Sequence, residues 1–174
     1  MTLKDKLLAQ RRQNKLVGIS IPKESFEIIE ATDSEGKQVH LMINVTLRNL
    51  KNDNLIKQAF GYCCTINFDY CDVDDNLIPT SEEFSKMLDY VRSIDKALKV
   101  NDDYPNAILV AVVSYKGTCQ VTWMLYNPLT AIKYLDDIIT KGKPVREFEY
   151  DIQGDSKWGC IDWLLQDFPL EDQK

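Results

Sequence analysis

Between Phe60 and Ile152 the hydrophobic pattern changes period four times and is broken once more by a turn, which divides the stretch into strand, helix, strand, strand, helix and strand. That order is the split βαβ, or ferredoxin-like, plan, so the sequence predicts an α+β fold with two helices on one face of the sheet. Phe60, Tyr62, Cys64, Ile66, Phe68 and Tyr70 alternate with Gly61, Cys63, Thr65, Asn67 and Asp69, the signature of a half-buried strand. Thr80-Ser-Glu-Glu83 then reads as a capping box, in which the Thr80 hydroxyl meets the Glu83 amide and the Glu83 carboxylate reaches back. Phe84, Leu88, Val91, Ile94 and Leu98 give that helix its buried face.

Ala107–Tyr115 is apolar on both faces, as a central strand should be, and Lys116-Gly117 turns it into Thr118–Tyr126. Asn127-Pro128 caps a second helix carrying Leu129, Ile132, Leu135 and Ile139, with Gly142 as its stop. Val145–Ile152 forms the last strand, with Glu147, Glu149 and Asp151 on its solvent side. Upstream, Ser25–Ala31 and Lys37–Leu47 make a hairpin around Asp33-Ser-Glu-Gly36, and 49–54 is a polar loop. A short amphipathic helix is expected at each end: one carrying Leu3, Leu7 and Leu8, the other at Trp158–Phe168. The chain divides as 1–23 basic helix and connector, 25–57 hairpin and loop, 58–152 ferredoxin-like core and 153–174 terminal helix and tail, in a single domain.

Charge narrows the function classes. The net charge is −6. Residues 1–23 hold six basic side chains against Asp5, leaving +5 there and −11 for the remainder. An acidic body repels phosphate backbones, so nucleic acid is not the expected partner, and no apolar run approaches the ~20 residues that span a bilayer. The N-terminus lacks the apolar run and cleavage site of a signal peptide, and a cytoplasmic protein is expected. Cys63, Cys64, Cys71, Cys119 and Cys160 form no CxxC pair and are read as reduced, buried thiols.

Catalytic equipment is sparse. His40 is the only histidine and sits mid-strand between Val39 and Leu41. Asp72, Asp74, Asn76, Thr80 and Glu83 fall at calcium-loop spacing, but Leu77 stands where that loop needs glycine. No glycine-rich phosphate loop is present, and no metal or cofactor is expected. The paired carboxylates lie in loops and helix starts, where they solvate the surface. The aromatic tail Trp158-x-x-x-x-Trp163 reads as a helix closing the core or as a docking face.

The run Asp74-Asp75-Asn76-Leu77-Ile78-Pro79-Thr80-x-Glu82-Glu83 entering a helix is similar to the bacterial domain-of-unknown-function family 695. Gly117 before a strand ending Leu125-Tyr126, and Asp155-x-x-Trp158 after the last strand, belong to the same resemblance, which spans residues 25–165. Phe26 and Ile161 depart from it, standing where tryptophan and tyrosine are expected. The second half also resembles the regulator of ribonuclease activity B family. That resemblance implies a precedent for protein binding on this scaffold, without naming a target.

Together these readings point to a non-enzymatic, acidic binding protein, a regulator or a toxin-neutralising immunity protein that engages a basic protein surface. The expected partner-binding residues are Asp72, Asp74, Asp75, Glu82, Glu147, Glu149, Asp151 and Trp158. Two alternatives stand beside it: a small hydrolase or thiol enzyme using His40 and a cysteine, and a self-assembling structural protein, for instance a homodimer through a free sheet edge.

Overall fold

A computed structural model describes residues 16, 18–142 and 144–166. Six strands make one antiparallel sheet: β1 (Phe26–Thr32), β2 (Gln38–Asn44), β3 (Tyr62–Asp69), β4 (Ala107–Tyr115), β5 (Thr118–Leu125) and β6 (Phe148–Gly154), in the order β1-β2-β4-β5-β3-β6. Three α-helices, α1 (Asn54–Ala59), α2 (Ser81–Lys99) and α3 (Pro128–Lys141), and two 3-10 helices (Val45–Leu50 and Gly159–Leu165) complete the described elements.

α2 and α3 cover one sheet face. Met87, Tyr90, Val91, Ile94 and Leu98 of α2 and Ala131 and Leu135 of α3 pack on Cys64, Ile66, Phe68, Val121, Trp123 and Leu125. Trp123 is fully buried, and its indole N–H donates to Asp95 Oδ1 at 3.0 Å. Asp95 in turn holds Lys99 at 2.6 Å, so a polar tie runs from the core through α2 to the surface. The helix ends follow local chemistry. Thr80 Oγ accepts from the Glu83 amide, the Asn127 side chain accepts from the Leu129 amide with Pro128 at the first position, and Gly142 closes α3 at φ 63°. Lys116 (φ 47°) and Gly117 (φ 80°) both take the positive φ of a two-residue hairpin turn.

The opposite face carries a second core, and here the structure departs from expectation. The hairpin is part of the same sheet: β2 pairs with β4 from Val39↔Tyr115 to Ile43↔Ala111. β2 stops at Asn44, three residues short of the expected strand end at Leu47. Asn44 is fully buried; its Nδ2 donates to the Leu109 carbonyl at 3.0 Å, beside the register shift in β4, and its Oδ1 accepts from Thr46 at 2.6 Å. Those bonds turn the chain into the first 3-10 helix, which drops Leu47 into the core. The expected polar loop over 49–54 holds the end of that 3-10 helix and a short turn, and leads into α1 at Asn54, capped by Asp53, whose carboxylate accepts from the Leu55 and Ile56 amides.

Leu47, Ile56, Phe60, Trp158, Ile161, Leu164 and Leu165 then bury Cys63, Ile108, Val110 and Met124. The terminal segment is 3-10 from Gly159 to Leu165, shorter than the expected helix, and is started by the Asp155 carboxylate on the Gly159 and Cys160 amides. The expected N-terminal helix at Leu3, Leu7 and Leu8, and Phe168 at the other end, lie outside the described residues. β6 begins at Phe148 rather than Val145, because Arg146 turns aside to Glu83.

One covalent feature also corrects the sequence reading: Cys63 and Cys160 form a disulfide across 97 residues, leaving Cys64, Cys71 and Cys119 free. No short spacing announces a pair so far apart. Their meeting depends on the second 3-10 helix folding back over β3.

Candidate functional site

The β3–α2 loop, the α3–β6 loop and the β4–β5 turn meet at one end of the sheet. There Tyr70 N–H donates to the Gly117 carbonyl, and Phe68 pairs with Phe148. This end gathers the exposed acids Asp69, Asp72, Asp74, Asp75, Glu82, Glu147 and Glu149. A groove of about 560 Å³ runs beside β6, lined by Asn67, Asp69, Ile139, Glu147, Phe148 and Glu149 among others.

Some of these carboxylates build the loop as well as charging it. Asp74 Oδ1 accepts from the Asn76 and Ile78 amides at 2.8 and 2.9 Å, and Asp72 accepts from the Thr80 hydroxyl at 2.8 Å. Leu77 sits at φ 63°, the conformation for which the sequence lacks a glycine. Glu82 pairs with Lys86 at 2.7 Å on the exposed helix surface, a contact worth little in water. Asp75, Glu147, Glu149 and Asp151 are exposed, the last two on the open part of the sheet face with Asn67 and Gln120.

Glu83 behaves differently. It is 3% exposed and is held by Arg146 in a two-pronged contact, Nη2 to Oε2 at 2.6 Å and Nε to Oε1 at 3.1 Å. The Cys71 amide donates to the same carboxylate at 3.0 Å. Arg146 above all, against the opposing effect of burial, holds the Glu83 carboxyl below the usual Glu range. This changes the expected capping box: Thr80 caps the Glu83 amide, but the Thr80 amide donates to the Asp72 carbonyl, and the Glu83 side chain is spent on the loop that follows α3. It also removes the twelfth ligand from the calcium-like spacing, since that carboxylate already faces a guanidinium. Among the described residues, no group of three or more His, Cys, Asp or Glu side chains is placed to hold a metal ion.

Trp158 does not belong to this surface. It is 1% exposed and donates its indole N–H to the Phe60 carbonyl at 2.9 Å, at the other end of the sheet. Trp158 is therefore a core residue, and Trp163, 47% exposed, is the tail aromatic left at the surface. Asp151 lies mid-strand, opposite Thr65.

His40 stands in β2 between Glu30 of β1 and Ser114 of β4. Its Nδ1 is 3.7 Å from the Glu30 carboxylate, and its buried Nε2 has no hydrogen-bond partner among the described residues. The Ser114 hydroxyl is 4% exposed and bonded to the Tyr70 hydroxyl. Burial pushes the Cys64 thiol up to about 12 and the Cys119 thiol up to about 11, opposite to the shift that activates a nucleophilic cysteine.

A second cleft, of about 540 Å³, lies between the segment before β1 and the α2–β4 loop. Ile21, Tyr104 and Ile108 form part of its wall, and Lys99 bridges Glu24 and Asp95 at its side. No described helix is long and apolar enough to cross a membrane.

Sequence reasoning missed Arg146, whose partner is 63 residues away, and Asn44, whose role is set by the strand beside it. A buried-pair signal for Glu83 was absent, because a glutamate in the first turn of a helix has an ordinary explanation.

Residues 35–165 match the family of unknown function DUF695, and the chain belongs to that family. The match begins ten residues after the resemblance read from the sequence and ends where that resemblance ends. No curated protein and no solved structure matches the chain.

Proposed function

With membership of a family of unknown function as the premise, we propose that this protein binds a basic surface of another protein through the acidic end of its sheet, as a regulator or an immunity protein does. The observation that carries this reading is the gathering of Asp69, Asp72, Asp74, Asp75, Glu147 and Glu149 from separate loops and strands at one end. The nearby Arg146 is already committed to Glu83. A net negative field of this kind speeds encounter with a cationic partner and repels phosphate backbones.

We read β3-α2-β4-β5-α3-β6 as a ferredoxin-like core. Support comes from the order β4-β5-β3-β6 in an antiparallel sheet and from α2 and α3 packing on the same face. The resemblance of this half to the regulator of ribonuclease activity B family lends the scaffold a precedent for binding proteins. A cytoplasmic setting is part of the reading, and the Cys63–Cys160 bond weighs against it, because disulfides persist mainly in oxidising compartments.

The experiment is affinity capture from the source cell with the wild-type chain and with the Asp74→Lys/Asp75→Lys variant. The proposal expects a basic protein retained by the wild type and lost with the variant at equal loading. A partner retained equally by both chains refutes it.

A further inference from the structure

β6 ends the sheet order, and among the described residues its only strand neighbour is β3. The Asp155 amide donates to the Gly61 carbonyl, and the register then fixes which groups point where. Glu149, Asp151 and Gln153 turn their backbone N–H and C=O towards β3. Phe148, Tyr150, Ile152 and Gly154 turn theirs away from the sheet. Among the described residues, the outer side of β6 thus presents a row of donors and acceptors with no backbone partner.

The side chains along this edge are sorted by face. Phe148, Tyr150 and Ile152 are half-buried against the core under α2 and α3, and Tyr150 is anchored by its hydroxyl donating to Asp136 at 2.5 Å. Glu149 and Asp151, with Glu147 just before the strand, are exposed on the other side. The other free edge lacks this sorting: on β1, Glu27 and Glu30 point to opposite faces, and Glu27 is bound to Arg48 at 3.3 Å.

We propose that the basic partner docks by adding an extended, antiparallel strand to β6, with apolar residues alternating with lysine or arginine. Residues opposite Phe148, Tyr150 and Ile152 exchange backbone hydrogen bonds with them and extend the apolar face. Residues opposite Glu149 and Asp151 stand in the closer, non-hydrogen-bonded pairs, where an opposite charge is favourable. A second copy of β6 is a poor occupant, because antiparallel self-pairing sets Glu149 against Asp151 and like charges face each other. The inference rests on the acidic-surface reading above and adds to it the binding mode and the sequence character of the docking segment.

The test uses a synthetic peptide, acetyl-Lys-Val-Arg-Ile-Lys-Val-Arg-amide, titrated into isotope-labelled full-length protein. At saturation, amide exchange at Phe148, Tyr150, Ile152 and Gly154 should slow by about tenfold or more, with no such change at Phe26, Ile28, Glu30 and Thr32. N-methylating the valine and isoleucine amides removes the donors that face β6 and should abolish binding. N-methylating the lysine and arginine amides should leave affinity within about threefold, because those amides point away. Glu149→Lys/Asp151→Lys should also abolish binding. Equal binding of both N-methylated sets, with shifts confined to the loop around Asp74, overturns strand addition while leaving the acidic-surface reading standing. No binding at about millimolar peptide overturns it too. So does a concentration-dependent dimer lost in Glu149→Lys/Asp151→Lys, which gives the edge to a second copy. Weakened capture of the natural partner by Asp74→Lys/Asp75→Lys, together with its complete loss in Glu149→Lys/Asp151→Lys, supports docking on the edge within the acidic surface.

Discussion

Replacing Arg146 with methionine isolates the buried ion pair that ties the α3–β6 loop to α2. The substitution keeps most of the aliphatic stem and removes the guanidinium from a carboxylate that is 3% exposed. The Arg146 side chain is itself 18% exposed, so the loss belongs at the lower end of the range for breaking a buried pair, about 3 kcal/mol at neutral pH. The pH dependence carries the diagnostic sign. In the wild type the Glu83 carboxyl is held below its ordinary value, so its contribution is present above the unfolded value of about 4.3 and lost as pH falls through the folded value. In Arg146→Met the same carboxylate is buried without its cation, and its affinity for a proton rises instead. The destabilisation should therefore shrink towards about 1 kcal/mol near pH 4, where a protonated glutamic acid needs no counterion. Urea denaturation across pH, with the slope m unchanged between variants, measures this. Glu83→Leu/Arg146→Met should recover about 2 kcal/mol relative to Arg146→Met, because the uncompensated charge is gone. A loss below about 1 kcal/mol at neutral pH that does not vary with pH would refute the reasoning.

Three further outcomes follow from the second core and the thiols. Cys160→Ser should destabilise the chain by up to about 4.7 kcal/mol, the chain-entropy value for a closure near 100 residues, and mass spectrometry after alkylation of the unfolded, unreduced protein should count three free thiols; five labelled cysteines would contradict the bond. Asn44→Ala leaves the buried Leu109 carbonyl without its side-chain donor and should cost about 1–3 kcal/mol in denaturant titration, whereas a surface-like change below about 0.5 kcal/mol would show that the turn does not depend on it. In the native protein at pH 8, iodoacetamide should modify exposed Cys71 and spare Cys64 and Cys119, whose thiols burial pushes to about 12 and 11; rapid labelling of Cys64 or Cys119 would reopen the thiol-enzyme alternative.

Alternation and capping made much of the core legible in advance. Cys64, Ile66 and Phe68 face the helices as their spacing requires, and Asn127-Pro128 and Gly142 bound α3 at the expected places. Legibility ended where a residue's role is set by a distant neighbour. Asn44 stops β2 because Leu109 offers a carbonyl across the sheet, although Val45 and Leu47 continue the alternation. α1 is a six-residue helix that propensity alone would not stabilise; Asp53 and the burial of Ile56 hold it. Cys63 looked like any strand cysteine, because its partner lies 97 residues away. At the candidate surface the acids were found from charge alone. Which of them also serve the fold depended on geometry: Asp74 shapes its turn, and Trp158 is sealed beneath Phe60.

The central claim, that the acidic end binds a cationic protein surface, is tested most directly by the salt dependence of the captured complex. Calorimetric titration between about 50 and 500 mM sodium chloride should weaken binding about tenfold or more, and Glu147→Lys/Glu149→Lys should weaken it by a similar factor at the lower salt. An affinity unchanged by salt and by charge reversal would contradict the claim.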